Sequence, residues 1–157
     1  IPSDPAAGAP PNAPVPAASL DPKAKYLVVP FAQPGLADPH ATDIMHSFMG
    51  KLQARNVDAK AAPSMDRLTA VANAKSLCAT NGTSAIIVPW LRIEQSSFHG
   101  DSYAELRLDV ITCGGAFVTN ALGTADFKRG SIENFGSTAV AVSEEAMNAA
   151  LDKLFPQ

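Results

Sequence analysis

The sequence predicts an α+β fold in which helices pack on one face of a mixed β-sheet. The stretch from Ser84 to Asp126 contains three consecutive runs with apolar and polar residues in the pattern typical of strands. Three other segments carry apolar residues three and four positions apart, which predicts amphipathic helices. With two short strand candidates near the start, the predicted order is β-α-β-α-β-β-β-α.

The predicted domain opens at Lys25 with the apolar run YLVVPF, which indicates a buried strand. Asp38 is placed to cap a helix whose first position is Pro39, where the missing N–H costs nothing. This helix extends to about residue 56, and its apolar face consists of Ile44, Met45, Phe48, Met49 and Leu52. The segment VDAKAAP that follows is a short and weak strand candidate.

Two further helices complete the predicted cover of the sheet. The second has an apolar face formed by Met65, Leu68, Val71, Ala72 and Cys78, and Asn81-Gly82 is suited to cap its C-terminus. The last begins near Ser137 or Thr138 and presents Val142, Ala146, Ala149, Ala150 and Leu154 on one side.

The central strands have one buried and one exposed face. Leu106, Leu108 and Val110 alternate with charged residues, the period of two that a half-buried antiparallel strand shows. The preceding strand starts with an apolar run, Ala85 to Val88, that suggests burial on both sides. Pro89 cannot donate a ladder hydrogen bond, so we expect a sheet edge or a bulge at that point.

The exposed face of this strand pair carries the charged residues Arg92, Glu94, Glu105, Arg107 and Asp109. They form either a polar binding surface or an ordinary solvated ladder of ion pairs, and the low value of isolated surface pairs favours the ladder. Trp90, the only Trp, shares the parity of Arg92; we favour its packing beneath the last helix over exposure as an anchor for a protein or a sugar. For a binding surface, the predicted residues are Trp90, Arg92, Phe98, His99, Tyr103 and Arg107.

Composition and charge narrow the kinds of molecule that the protein is expected to bind. Residues 1–24 are dominated by Pro and Ala, which predicts a flexible leader or tether, or else a passive tail, ahead of a single domain at residues 25–157. A net charge of -3 without a cluster of Lys or Arg disfavours nucleic acid and anionic membrane surfaces as partners. No apolar run approaches the roughly 20 residues that a transmembrane helix needs.

The two cysteines, Cys78 and Cys113, match no metal or redox spacing. In an oxidising compartment we expect one disulfide, closing a loop of about 35 residues and worth roughly 3 to 4 kcal/mol. Cys113 has the parity of the charged face while Cys78 lies on an apolar helical face, and a bulge at Gly114-Gly115 could re-aim Cys113 toward the bridge. Two free buried thiols are the alternative.

Little in the sequence supports a catalytic site or a metal site. Asp38, His40, Asp43 and His46 gather at the start of the first helix, but helix capping explains them better than a metal, since no further ligand completes a closed shell. The chain has no Gly-x-Ser-x-Gly elbow, P-loop or dinucleotide fingerprint. We therefore expect no enzyme activity, no metal and no cofactor.

Several segments together resemble a known group. The opening strand that ends in Pro-Phe, the second helix that ends in Asn-Gly ahead of SAIIVPWLRIEQ, and YAELRLDVITCGGAFV are similar to the amino-terminal domain of TolB and to related domains of curli-secretion and flagellar-ring envelope proteins. The resemblance covers about residues 26–155, without propeller repeats after the domain. It implies a bacterial envelope module that binds other proteins and catalyses nothing.

The function expected from these observations is that of a non-enzymatic accessory or assembly subunit of a bacterial cell-envelope complex. Its partners would be other envelope proteins in a membrane complex, its location periplasmic or exported, with membrane tethering through the N-terminus left open. The alternative is a periplasmic domain that binds a small ligand or carbohydrate through Trp90, Phe98 and Tyr103. A metal enzyme or hydrolase would need residues 38–46 to converge with His99.

Overall fold

A computed structural model of the chain describes residues 20–30, 38–95, 102–127 and 135–156. Within these ranges the strands are β1 (Lys25–Val28), β2 (Asp58–Ala61), β3 (Ala85–Gln95), β4 (Ser102–Thr112) and β5 (Phe117–Phe127). The helices are α1 (Asp38–Ala54), α2 (Arg67–Ala72), α3 (Ala74–Asn81) and α4 (Phe135–Leu154). The fold class and the predicted order of elements are confirmed, with the second predicted helix divided into two.

The strands form one mixed sheet in the order β2-β1-β3-β4-β5. β1 runs parallel to β2 and β3, whereas β3, β4 and β5 are antiparallel neighbours. β1 pairs with β3 only as far as Ile87, so from Pro89 onward β4 is the only strand paired with β3 among the described residues. The proline therefore lies at a local sheet edge, where its missing N–H leaves no ladder bond unmade.

The larger core lies between one face of the sheet and the helices α1 and α4. β4 contributes Leu106, Leu108 and Val110 to it, the parity that the sequence predicts for burial. Phe48 of α1 and Met147 of α4 are fully buried against them. This layer leaves the charged parity of β3 and β4 facing the other way.

A second, smaller core forms on that opposite face, where α2 and α3 pack. It buries Leu27 of β1, Val29 directly after that strand, Ile86 and Val88 of β3, and Ile111 of β4. The arrangement differs from helices on one face only. Its physical reason is that β1 and the first half of β3 are apolar on both parities, so both of their faces need cover.

The boundary between α2 and α3 falls at Asn73, whose side chain donates a 2.9 Å hydrogen bond to the carbonyl of Thr69. Asp66 caps α2 by accepting a 2.7 Å hydrogen bond from the N–H of Thr69. Gly82 ends α3 in the left-handed conformation, φ 66°, so the Asn-Gly cap is confirmed. None of the described helices is long and apolar enough to cross a membrane.

The last residues of the predicted leader contact the domain. The N–H of Leu20 donates to the carbonyl of Leu154 at 2.7 Å, and the hydroxyl of Tyr26 donates to the carbonyl of Asp21 at the same distance. Leu20 also packs against the larger core. Residues 1–19 of the leader lie outside the described ranges.

Candidate partner-binding site

The exposed half of the sheet is a surface of aromatic and charged side chains on β3 and β4, which we call the ladder face. It consists of Trp90, Arg92, Glu94, Tyr103, Glu105, Arg107 and Asp109. Antiparallel register places these residues opposite one another: Trp90 pairs with Arg107, Arg92 with Glu105, and Glu94 with Tyr103. The cross-strand approach of charges that the sequence predicts is therefore confirmed.

One end of the ladder face is centred on Arg92. Its Nη1 lies 2.9 Å from Glu94 Oε1 and its Nη2 lies 2.8 Å from Glu105 Oε2, so one guanidinium forms ion pairs with two carboxylates. The hydrogen bond to Glu105 and the charge of Glu94 raise the pKa of Arg92. Its Cζ also lies 5.7 Å from the ring centroid of Tyr103. All four groups lie at the surface, where such pairs are held weakly.

The other end is centred on Asp109, which is 2% exposed. Arg67 of α2 reaches across to it, with Nη1 2.8 Å from Oδ2. Arg107 lies beside it, with Nε 3.4 Å from Oδ1 but without hydrogen-bond geometry. Burial raises the pKa of the Asp109 carboxyl, and the charges of Arg107 and Arg67 and a hydrogen bond from Asn120 act in the opposite direction.

Trp90 lies on the ladder face and is 42% exposed, so its packing beneath the last helix is wrong. The alternation of β3 points it away from α4, on the same side as Arg92. Its ring faces the guanidinium of Arg107, whose Cζ is 5.6 Å from the ring centroid. Leu68, next to Arg67 on α2, is 82% exposed. Two large apolar side chains are thus exposed beside the arginines that pair with Asp109: Trp90 contacts Arg107, and Leu68 follows Arg67 in the chain.

The short helices are fixed to the sheet beside this surface. Cys78 of α3 and Cys113 after β4 form a disulfide, with Cα atoms 5.8 Å apart. No bulge is needed to re-aim Cys113, because α3 packs on the charged parity of β4 and not on the other face. Gly115, with φ 87°, lies in the turn after β4 so close to α2 that a Cβ there would approach the carbonyl oxygen of Val71 to 3.0 Å.

The structure brings together four of the six residues that the sequence proposes for binding: Trp90, Arg92, Tyr103 and Arg107. Phe98 and His99 lie outside the described residues. Sequence reasoning missed Arg67, because the second predicted helix was placed on the opposite side of the sheet. Its assignment of Leu68 to the apolar face of that helix is wrong, since Leu68 is exposed. It also took Asp109 for an exposed charge, since the period of two does not reveal that α2 covers that position.

A second concavity lies at the other end of the sheet, between α1 and β2. This open groove of about 480 Å³ is lined by His46, Met49, Gly50, Gln53, Val57, Asp58 and Ala59. Of the proposed metal cluster, Asp43 and His46 have exposed side chains, and the side chains of Asp38 and His40 are outside the described set. Within the described ranges, no three potential metal ligands come together.

A comparison with family models finds no match, and no curated protein sequence matches significantly. Similar solved structures exist. The PelC dodecamer from Paraburkholderia phytofirmans is 17% identical, with TM-score 0.62, over 90% of this chain and 94% of that one. Lipoprotein GNA1162 from Neisseria meningitidis is 12% identical, with TM-score 0.54, over 75% of this chain and 93% of that one. These likenesses show a fold shared with small bacterial α+β proteins, and neither is named TolB.

Proposed function

We propose that this protein is an exported, non-enzymatic accessory or assembly subunit of a bacterial cell-envelope complex, and that it binds another protein through its ladder face. The observation that carries the proposal is the exposure of Trp90 between arginines on a strand face that α1 and α4 leave uncovered. Trp, Tyr and Arg are the residues most enriched where protein interfaces derive their affinity.

Other observations support the envelope setting. The Cys78–Cys113 disulfide is of the kind that persists in exported proteins and is rare in the cytosol. One protein of similar fold is a lipoprotein by its description, and another is a dodecamer. The proposal also includes a TolB-like relationship, supported by the resemblance over about residues 26–155, and an N-terminal membrane tether, which agrees with the Pro/Ala-rich leader and with the lipoprotein of similar fold.

Binding of a sugar or another small ligand on the same face is the second candidate, favoured by the exposed Trp90. The described geometry supports it less well. Sugars stack on free aromatic faces, whereas guanidinium groups lie over the rings of both Trp90 and Tyr103, 5.6 and 5.7 Å from their centroids. A protein partner can use the arginines and the aromatic rings together.

Isolation of the protein from its native cells in mild detergent tests the proposal. Stoichiometric co-migration with other envelope proteins is the expected result, read by size analysis and mass spectrometry of the purified species. A free, monodisperse protein of 16.3 kDa would overturn it. Thermal shift measurements with a panel of saccharides then test the ligand-binding candidate.

A further inference from the structure

The charges on the two ends of the ladder face do not balance. At one end, Arg92 is paired with the two carboxylates of Glu94 and Glu105, which leaves one negative charge. At the other, Arg67 and Arg107 share the single carboxylate of Asp109, which leaves one positive charge. Within the described residues, no other carboxylate lies within 4.0 Å of either of these two guanidinium groups.

Arg67 and Arg107 have more N–H donors than their contacts with Asp109 use. A guanidinium carries five N–H donors. Arg67 uses Nη1 toward Asp109, while Arg107 makes the 3.4 Å ion pair through Nε and lies over the ring of Trp90. Their side chains are 33% and 22% exposed, so part of each remains open to solvent. The low dielectric around buried Asp109 makes the excess positive charge more effective than an arginine in open water.

Apolar groups flank this excess charge. Trp90 lies directly across the strand pair from Arg107, and Leu68 follows Arg67 on α2. A ligand that contacts both the excess positive charge and the apolar side chains must carry an anion beside an apolar group. Planar carboxylates match the fork of a guanidinium in a bidentate manner, which favours a carboxylate.

We infer that Arg67 and Arg107 bind a carboxylate of the partner protein, carried by a segment that places an apolar side chain against Trp90. This inference deepens the proposed function, on which it rests, by naming the chemistry of the partner at that site. The Arg92 end of the face, already supplied with two carboxylates, does not bind such a group.

The single tryptophan makes the site directly observable, because fluorescence of the folded protein reports on Trp90 alone. Phenylacetate serves as a minimal probe, since it joins a carboxylate to an aromatic group, and phenylacetamide is its neutral counterpart. A saturable change in Trp90 emission with phenylacetate is expected, and binding of the amide is expected to be at least about tenfold weaker, since it lacks the charge-assisted hydrogen bonds. Equal responses to the two compounds, or an equal response to inorganic phosphate, would overturn the inference.

Matched arginine variants locate the site. Arg107→Gln is expected to weaken phenylacetate binding at least about tenfold, and Arg67→Gln to do the same. Lys75→Gln removes an exposed positive charge of α3 that lies outside the ladder face, so its affinity should equal that of the wild type. Near-ultraviolet circular dichroism verifies that each variant is folded, and the two independent arginines keep the test open if one variant is not. Unchanged binding by folded Arg107→Gln and Arg67→Gln would contradict the proposal.

The outcomes for this site and for the proposed function are separable. A native partner that is lost on Trp90→Ala but retained by Arg107→Gln would leave the proposed function standing and refute the carboxylate site. Phenylacetate binding that depends on Arg67 and Arg107, in a protein that purifies without any partner, would support the site and refute the accessory-subunit function.

Discussion

The close approach of α4 to β5 at Gly123 gives a sharp test of the fold. A Cβ built at this position would lie 2.5 Å from the backbone nitrogen of Ala150 and 3.0 Å from its Cβ, and closer still to the carbonyl oxygen of Ala146. The obstructing atoms belong mainly to the helix backbone, which cannot rotate away as a side chain would. Gly123→Ala therefore has to push α4 off the sheet.

The expected loss follows from this geometry. Overpacking of a core by a methyl group costs typically about 1–3 kcal/mol, and contact with backbone favours the upper end, so we expect the free energy of unfolding to fall by about 3 kcal/mol. For a chain of this size, each kcal/mol lowers Tm by roughly 2–4 °C. Gly123→Ala should thus melt about 6–12 °C below the wild type.

Equilibrium unfolding in urea measures the effect, and Gly50→Ala is the matched control. Gly50 lies inside α1, and a Cβ added to it would meet nothing within 4 Å, so alanine there should stabilise by about 1 kcal/mol through its helix propensity. A loss below about 1 kcal/mol for Gly123→Ala would refute the placement of α4 on β5. That placement is what leaves the ladder face as the uncovered side of the sheet.

Three further predictions concern the residues around the ladder face. Replacement of Cys78 and Cys113 together by Ala should lower the free energy of unfolding by about 3.8 kcal/mol in the chain-entropy model, given their separation of 35 residues, and a variant with an unchanged urea midpoint would contradict this. Burial raises the folded-state pKa of Asp109, so the native state binds the carboxyl proton more tightly than the unfolded state does. The free energy of unfolding relative to Asp109→Asn should therefore decrease as the pH rises from the ordinary pKa of 3.8 through the raised one. Urea titrations that show an increase over this range would contradict the prediction. Leu68→Ser should change the free energy of unfolding by less than about 0.5 kcal/mol because Leu68 is 82% exposed, while recovery of the native partner falls; a folded variant with full recovery would exclude Leu68 from the interface.

Local periodicity predicted most of the fold. The alternation of Leu106, Leu108 and Val110 with charged residues identified both faces of β4, and the Asn-Gly pair identified the end of α3. These features depend on residues close together in the chain. They follow from side-chain direction and backbone conformation alone.

The side of the sheet on which α2 and α3 pack could not be predicted in the same way. The apolar start of β3 indicated burial on both faces, but nothing local assigns a helix to either one. Cys113 could have indicated the side on which α3 packs. Its parity matches the charged face, and a bridge to Cys78 without a bulge requires α3 on that side. Arg67 and the buried state of Asp109 follow only from that placement.

The candidate site was accordingly found in part. Strand alternation placed Trp90, Arg92, Glu105 and Arg107 on one face, but the register that pairs Arg92 with Glu105 and Trp90 with Arg107 comes from the structure. The exposure of Trp90 depends on where α4 lies, a contact between distant parts of the chain.

Recovery of the native partner by the Trp90→Ala variant tests the central claim most directly. Both this variant and Glu145→Ala, a substitution of an exposed residue on α4, would be expressed in the native cells and purified in mild detergent with quantification of the co-purified proteins. We expect Trp90→Ala to weaken partner binding at least about thirtyfold, the loss typical of a hot-spot residue, and Glu145→Ala to match the wild type. Full recovery of the same partner by a folded Trp90→Ala protein would contradict binding through the ladder face.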